Sequence, residues 1–312
     1  PLSSQKKNHM NNELFEQQLS YILHWWAFFV DWENGGIISV LKKMRKEKAS
    51  DKRIALMHLR QMYNYSVGYE FGVSGSEKIA RHLYETLYQV FPNRSGNMIT
   101  GQIWSRKKEP LISGYLNAYQ AICLSRFARA FNDRQAAELS LKVYQELDLL
   151  LSDGILSEGG TWDFYFYESK LCEGKSDDCT IHRCEAALNV YRALEAASPD
   201  LLETHKPYLQ SQLRELTTFF DRFISRPEEG MTIERLQDDC NPPKDSRHRL
   251  QSLAHGFEWF GFCQEIDAYC GISIPFMDDR MRILVDKTMK NGLSPNGCFR
   301  NRYCLNTRSA PL

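Results

Sequence analysis

The sequence predicts an all-α protein whose helical hairpins form a closed ring. Apolar residues recur with a 3.6-residue period over residues 12–29, 53–71, 76–91, 113–131 and 134–151, and again over 183–197, 208–224, 248–270 and 278–290. No comparable run alternates with period two, so strands are expected only as short hairpins in loops. Glycine-bearing turns punctuate the helices at "DWENGGI" (31–37), "ILSEGGTW" (155–162), "RPEEGMT" (226–232) and "GLSPNGCF" (292–299). Their separation is that of a helical pair with its connections, longer than the common solenoid repeats. No low-complexity linker interrupts the chain, which favours a single domain over residues 1–312.

The first helix contains the longest apolar stretch, "YILHWWAFFV", but His24 breaks it and Asp31 follows, so it is too short and too polar to span a bilayer. Behind it, the Lys-rich Leu41–Arg53 segment reads as a solvated loop, at most a lid. Lys plus Arg and Asp plus Glu both total 39, so no net field selects nucleic acid or an anionic membrane as a partner. Helix 53–71 places Arg60 between "LMHL" and "QMYNYS", an unfavourable position for a charge unless something polar faces it. Helix 113–131 carries Tyr115 and Tyr119. His182 stands just ahead of helix 183–197 and Glu185 in its first turn, and helix 248–270 repeats that spacing with His255 and Glu258. Three residues apart on a helix, each histidine shares a face with its glutamate. His24, His58, His82 and His205 match no such pattern and read as structural or exposed.

The nine cysteines include Cys172, Cys179 and Cys184 in one polar stretch, but their spacings are not those of a zinc motif and no metal is expected. Cys123, Cys263 and Cys270 fall within helical patterns, where a free thiol behaves as a small apolar group. A reducing, cytoplasmic location is the expectation that follows.

The motifs, in this order, resemble the N-acylglucosamine 2-epimerase family, which includes cellobiose 2-epimerases and mannose-type aldose–ketose isomerases. "FFVDWENGGI" is similar to the family's Trp-rich helix and Gly-Gly turn; Arg60, Tyr63, Tyr65 and Ser66 follow one another as its Arg–aromatic–aromatic–Ser segment does. Tyr115, Ala118 and Tyr119 resemble its Tyr-x-x-Ala-aromatic helix, His182 and Glu185 its His-x-x-Glu-Ala helix, and His255 and Glu258 its Gly-His-x-x-Glu helix. The departures are tyrosines at both aromatic positions, Asp178 where some members carry asparagine, Ala254 before the histidine, and Gly261 where many members have tryptophan. From Trp25 to Tyr303 the resemblance implies an (α/α)6 barrel with its active site in the central cavity. It also implies a further Trp-Trp-x-x-x-Glu helix and a hairpin with a second catalytic histidine after "NTRSAPL", so the sequence is expected to be incomplete and to lack the last hairpin.

The activity implied is that of a sugar 2-epimerase or aldose–ketose isomerase that removes the proton at C2 through an enediolate. Histidine suits the acid/base work because its pKa lies near the operating pH. His255 is the first choice, with His182, Arg60 and Glu258 completing the catalytic set and Arg60 facing the enediolate oxygen. Tyr115, Glu185, Tyr63, Trp259 and Asp178 are the expected sugar contacts. Such proton transfer needs no metal or organic cofactor, and the partner is a mono- or disaccharide; a homodimer is compatible with this reading. The alternatives are a barrel that binds sugar or protein without catalysis, and a hydrolase using the carboxylates Asp31 and Asp163.

Overall fold

The computed structural model describes residues 4–39, 53–91, 93, 96–100, 111–152, 161–166, 169–242, 250–276, 279–293 and 302–304. Most of the Lys-rich segment, the Gly-Gly pair at 159–160, the turn at 294–299 and the "NTRSAPL" end lie outside the described residues. Helices dominate: α1 Ser4–Ala27, α2 Ala55–Glu70, α3 Ser76–Glu85, α4 Leu87–Val90, α5 Gly114–Phe131, α6 Arg134–Leu151, α7 Asp177–Ala197, α8 Pro199–Phe219, α9 Leu253–Cys270 and α10 Arg280–Gly292. Among the described residues no helix is long and apolar enough to cross a membrane.

Local chemistry explains the helix boundaries. Ser113, Asp133 and Ser176 are extended N-caps whose side chains accept from Leu116, Ala136 and Cys179 backbone N–H groups, opening α5, α6 and α7. Asn132 takes a left-handed conformation, φ 49°, and ends α5. Two starts precede the apolar periodicity: α7 begins at Asp177 because Ser176 caps it, and α8 begins at Pro199, a residue preset for a first turn.

The helices pack as successive hairpins. Helices α2, α5, α7 and α9 lie side by side in chain order, and α3, α6, α8 and α10 each return the chain behind one of them. The inner helices therefore run parallel. Gly114 permits a close approach at the start of α5, where a Cβ would stand 2.7 Å from Cys179 Sγ on α7.

Among the described residues the strands gather at the end from which the inner helices start. β1 Leu111–Ser113, β2 Trp162–Phe166, β3 Leu171–Ser176 and β6 Arg235–Leu236 form one antiparallel sheet in the order β1-β2-β3-β6. The second contains β4 Ser225–Arg226, β5 Met231–Ile233, β7 Leu250–Ser252 and β8 Arg302–Cys304 in the order β4-β5-β7-β8. Residues 250–252, read as helical from their periodicity, are thus a strand, because pairing with β5 and β8 satisfies their backbone. β1, β3 and β7 lead directly into α5, α7 and α9. The first turns of those inner helices are consequently held by sheet register.

Behind this layer, Arg183 is fully buried between α6, α7 and α8. It donates to Thr161 Oγ1 at 2.7 Å and Gln212 Oε1 at 2.8 Å, and pairs with Asp148, which also accepts from the Tyr208 hydroxyl at 2.9 Å. Breaking a buried pair on one side leaves an uncompensated charge and costs about 3–5 kcal/mol. Arg183→Met should lower unfolding stability by that amount in urea denaturation; a loss below about 1 kcal/mol would rule the network out as a stabilising hub.

Candidate active site

The parallel inner helices bring most of the sequence-nominated residues to their strand-capped end. His182 lies in the second turn of α7, with Nδ1 2.9 Å from Glu185 Oε2. His255 lies in the first turn of α9, with Nδ1 3.0 Å from Asp177 Oδ2 and 3.6 Å from Glu234 Oε2. The Nε2 atoms of both rings stand 3.7 Å from the same oxygen, Asp178 Oδ1. Each imidazole is therefore tethered through Nδ1 to a carboxylate and presents Nε2 to a shared point. A carboxylate at Nδ1 favours the tautomer with its proton there.

Aromatic and cationic groups complete one wall. The Tyr115 and Tyr119 rings lie 5.1 and 4.7 Å from the His182 ring. Arg60 on α2 donates to the Tyr115 hydroxyl at 2.9 Å, and its guanidinium lies 4.7 Å from the Tyr119 ring centroid. Burial raises the Tyr115 phenol above its ordinary pKa, against the opposing pull of Arg60. A cavity of about 330 Å³ is bounded by Arg60, Tyr63, Asn64, Tyr119, Cys123 and Glu185. A smaller one of about 130 Å³ is bounded on the strand side by Tyr115, Asp163, Ser176, Asp178, Glu234 and Arg235. The larger hollow of about 630 Å³, between Arg214 and Arg280, contains none of these groups and no histidine.

Two nominated residues sit differently from the expectation. Trp259 is fully buried, stacked on Phe220 at 4.3 Å, and donates Nε1 to Asp177 Oδ1 at 2.8 Å. It offers no face to a sugar, because its position on α9 points behind the cavity toward the π-turn Phe220–Ile224. Glu258 is exposed, and the contact at His255 Nδ1 belongs to Asp177 on α7. The ring turns across the helix interface instead of along its own helix. Asp31 and Asp163, weighed as a hydrolytic pair, are engaged separately: Asp31 pairs with Arg53, and Asp163 accepts from Ser176 Oγ at 2.7 Å. The clustered cysteines also diverge. Cys179 and Cys184 are buried in α7, while Cys172 lies on β3. Among the described residues no group of His, Cys, Asp or Glu is arranged to hold a metal ion.

Sequence reasoning missed Asp177 and Glu234. Asp177 is fully buried; its carboxylate accepts from the Trp259 indole and the His255 ring, and its own N–H donates to the Glu234 carbonyl at 3.0 Å. The signal for it was Ser176-Asp177-Asp178, a helix start six residues ahead of the periodic stripe. Glu234 carries no such mark; it reaches His255 because residues 231–236 pass from one sheet to the other.

These carboxylates set the charge of His255. Burial alone would lower its pKa, but the Asp177 hydrogen bond and charge, with Glu234 and Glu258, raise it from 6.5 to about 9. The folded value exceeds the ordinary one, so the protonated ring contributes its full stabilisation, of order 3 kcal/mol, below about pH 6.5 and loses it as pH rises through about 9. In Asp177→Asn, NMR titration of the His255 ring should return a pKa at least one unit lower than in the unmodified protein. An unchanged value would remove Asp177 as the source of the shift.

Comparison with known proteins agrees with this architecture. A sequence profile of the N-acylglucosamine 2-epimerase (GlcNAc 2-epimerase) family matches residues 35–302. No curated protein sequence matches the chain. Among solved structures, cellobiose 2-epimerase from Spirochaeta thermophila superposes with a TM-score of 0.77 at 16% identity, covering 97% of this chain and 75% of that one. Cellobiose 2-epimerase from Bacillus thermoamylovorans gives 0.76 at 14%, covering 95% and 77%. A D-mannose isomerase gives 0.73 at 16%, covering 93% and 73%. The fold is therefore of the (α/α)6 type. With the family profile spanning most of its length, the chain belongs to the N-acylglucosamine 2-epimerase family.

Proposed function

We propose that this chain moves the proton at C2 of a reducing sugar, as a 2-epimerase or aldose–ketose isomerase, with His255 as the principal acid/base. Family membership makes it a carbohydrate epimerase or isomerase. The observation that carries the finer reading is the convergence of the His182 and His255 Nε2 atoms on one Asp178 oxygen, each ring held by a carboxylate on its far side. Positioned in this way, two imidazoles can exchange protons with neighbouring atoms of a single ligand.

The charge state suggests an order of events. His255 enters as imidazolium at neutral pH and donates its proton to the ring oxygen as the C1–ring-oxygen bond breaks, while the anomeric hydroxyl releases its own proton to solvent water and becomes the C1 carbonyl. The neutral imidazole that remains then takes the C2 proton. Negative charge builds on the carbonyl oxygen as the enediolate forms, and Arg60 with the Tyr115 hydroxyl supplies positive potential on that wall. His182 acts on the same atoms from the neighbouring helix. Return of the proton to the opposite face of C2 gives the epimer, and its return to C1 gives the ketose. Asp178, Glu185 and Tyr63 are assigned to hydroxyl groups of the sugar.

Incubation with glucose, mannose, N-acetylglucosamine and cellobiose in D2O, followed by NMR, should reveal solvent deuterium at C2 of at least one product pair. His255→Ala should lower that exchange by about 10²–10⁴; exchange that survives the substitution sinks the assignment. Arg60→Gln should cost about 10² in kcat. Because imidazolium is the entering form, activity should fall as pH rises through about 9, and in Asp177→Asn the fall should begin at lower pH.

A further inference from the structure

The inner helices carry a second rung of charge far from the histidines. Ten residues after Arg60, His182 and His255 come Glu70, Arg192 and Glu265, and at 1.5 Å per residue this places them about 15 Å further along the helices. Arg126 of α5 pairs there with Glu70 of α2, and Arg192 of α7 pairs with Glu265 of α9 at 2.8 Å. Arg129 lies three residues after Arg126 and so on the same side of α5. It has no hydrogen-bond or ion-pair partner among the described residues.

Its surroundings are unfavourable for a cation. Arg129 is half-buried, and burial together with the charges of Arg192 and Arg126 depresses its pKa, against a smaller opposite effect from Glu70. The Nε of Arg126 is itself buried without an acceptor. A cation near a helix C-terminus gains about 0.3–1 kcal/mol from the helix dipole. That gain suits a single exposed arginine and does not explain why Arg129 stands within the influence of Arg126 and Arg192 when, among the described residues, each of those two is ion-paired to a carboxylate and Arg129 is not.

We propose that Arg126, Arg129 and Arg192 form a phosphate-binding site at the end of the helical ring remote from the histidines. The planar guanidinium fork matches phosphate oxygens in a bidentate fashion. A bound phosphate group would supply the missing negative charge and the missing acceptors together. The same chemistry is offered by inorganic phosphate and by the phosphate of a phosphorylated sugar.

Isothermal titration of the full chain at constant ionic strength tests the site, with inorganic phosphate and glucose 6-phosphate as probes and chloride as the background anion. Saturable binding of phosphate is expected, weakened at least tenfold by Arg129→Gln. Arg192→Lys, which keeps the charge but loses the fork, should weaken it several-fold, and it carries the test if melting curves show Arg129→Gln to be unfolded. Arg134→Gln, at a surface arginine paired with Glu138 and Asp200, should leave binding unchanged. Tighter binding of the sugar phosphate than of phosphate would identify the phosphorylated sugar as the source; equal affinities would identify the free ion. Wild-type binding no stronger than that of chloride, or undiminished in both arginine variants, overturns the proposal. The readout is binding, so its outcome is independent of the reaction proposed above.

Discussion

The carboxylate of Asp177 is the interaction on which the histidine end of this protein depends. It sits without solvent exposure at the first turn of α7 and accepts from two side chains of α9, the His255 ring and the Trp259 indole. An ionised carboxylate in such a place is costly unless charge and donors surround it. Here imidazolium, indole and the opening turn of a helix meet that requirement. The same contact sets the separation of two inner helices, the rotation of the His255 ring and its charge, so geometry and protonation cannot be altered independently.

The strands serve this arrangement. An inner helix entered from a loop would have a frayed and variable first turn, whereas α5, α7 and α9 are each entered from a paired strand. Sheet register consequently fixes the turns that hold Tyr115, Asp178 and His255. Glu234, on the short passage between the two sheets, is brought to His255 by the same construction. Behind it, the Arg183 network ties α7 to the outer helices, so the wall that carries His182 is anchored on both faces.

Charge is separated along the helix axis. Carboxylates predominate around the histidines, while Arg126, Arg129 and Arg192 gather at the opposite end. Parallel inner helices present their positive N-terminal ends to the carboxylates and their negative C-terminal ends to the arginines, which lowers the cost of both clusters. An antiparallel ring could not do this for all its members at once.

Periodicity and spacing sufficed for the helical class, for the i,i+3 pairing of His182 with Glu185, and for the singular position of Arg60 inside an apolar stripe, because these are properties of one helix at a time. They failed where a neighbouring element decides the outcome. Residues 250–252 repeat like a helix but pair as a strand; Trp259 reads as a ligand-facing aromatic but stacks on Phe220; Glu258 is the nearest carboxylate to His255 in sequence, yet Asp177, on another helix, holds the ring. The sequence by itself determined which residues carry charge and which face of each helix they share, since a 3.6-residue repeat is local. Tertiary structure alone decided which charge meets which, because contacts between helices depend on rotation and register that no single segment encodes.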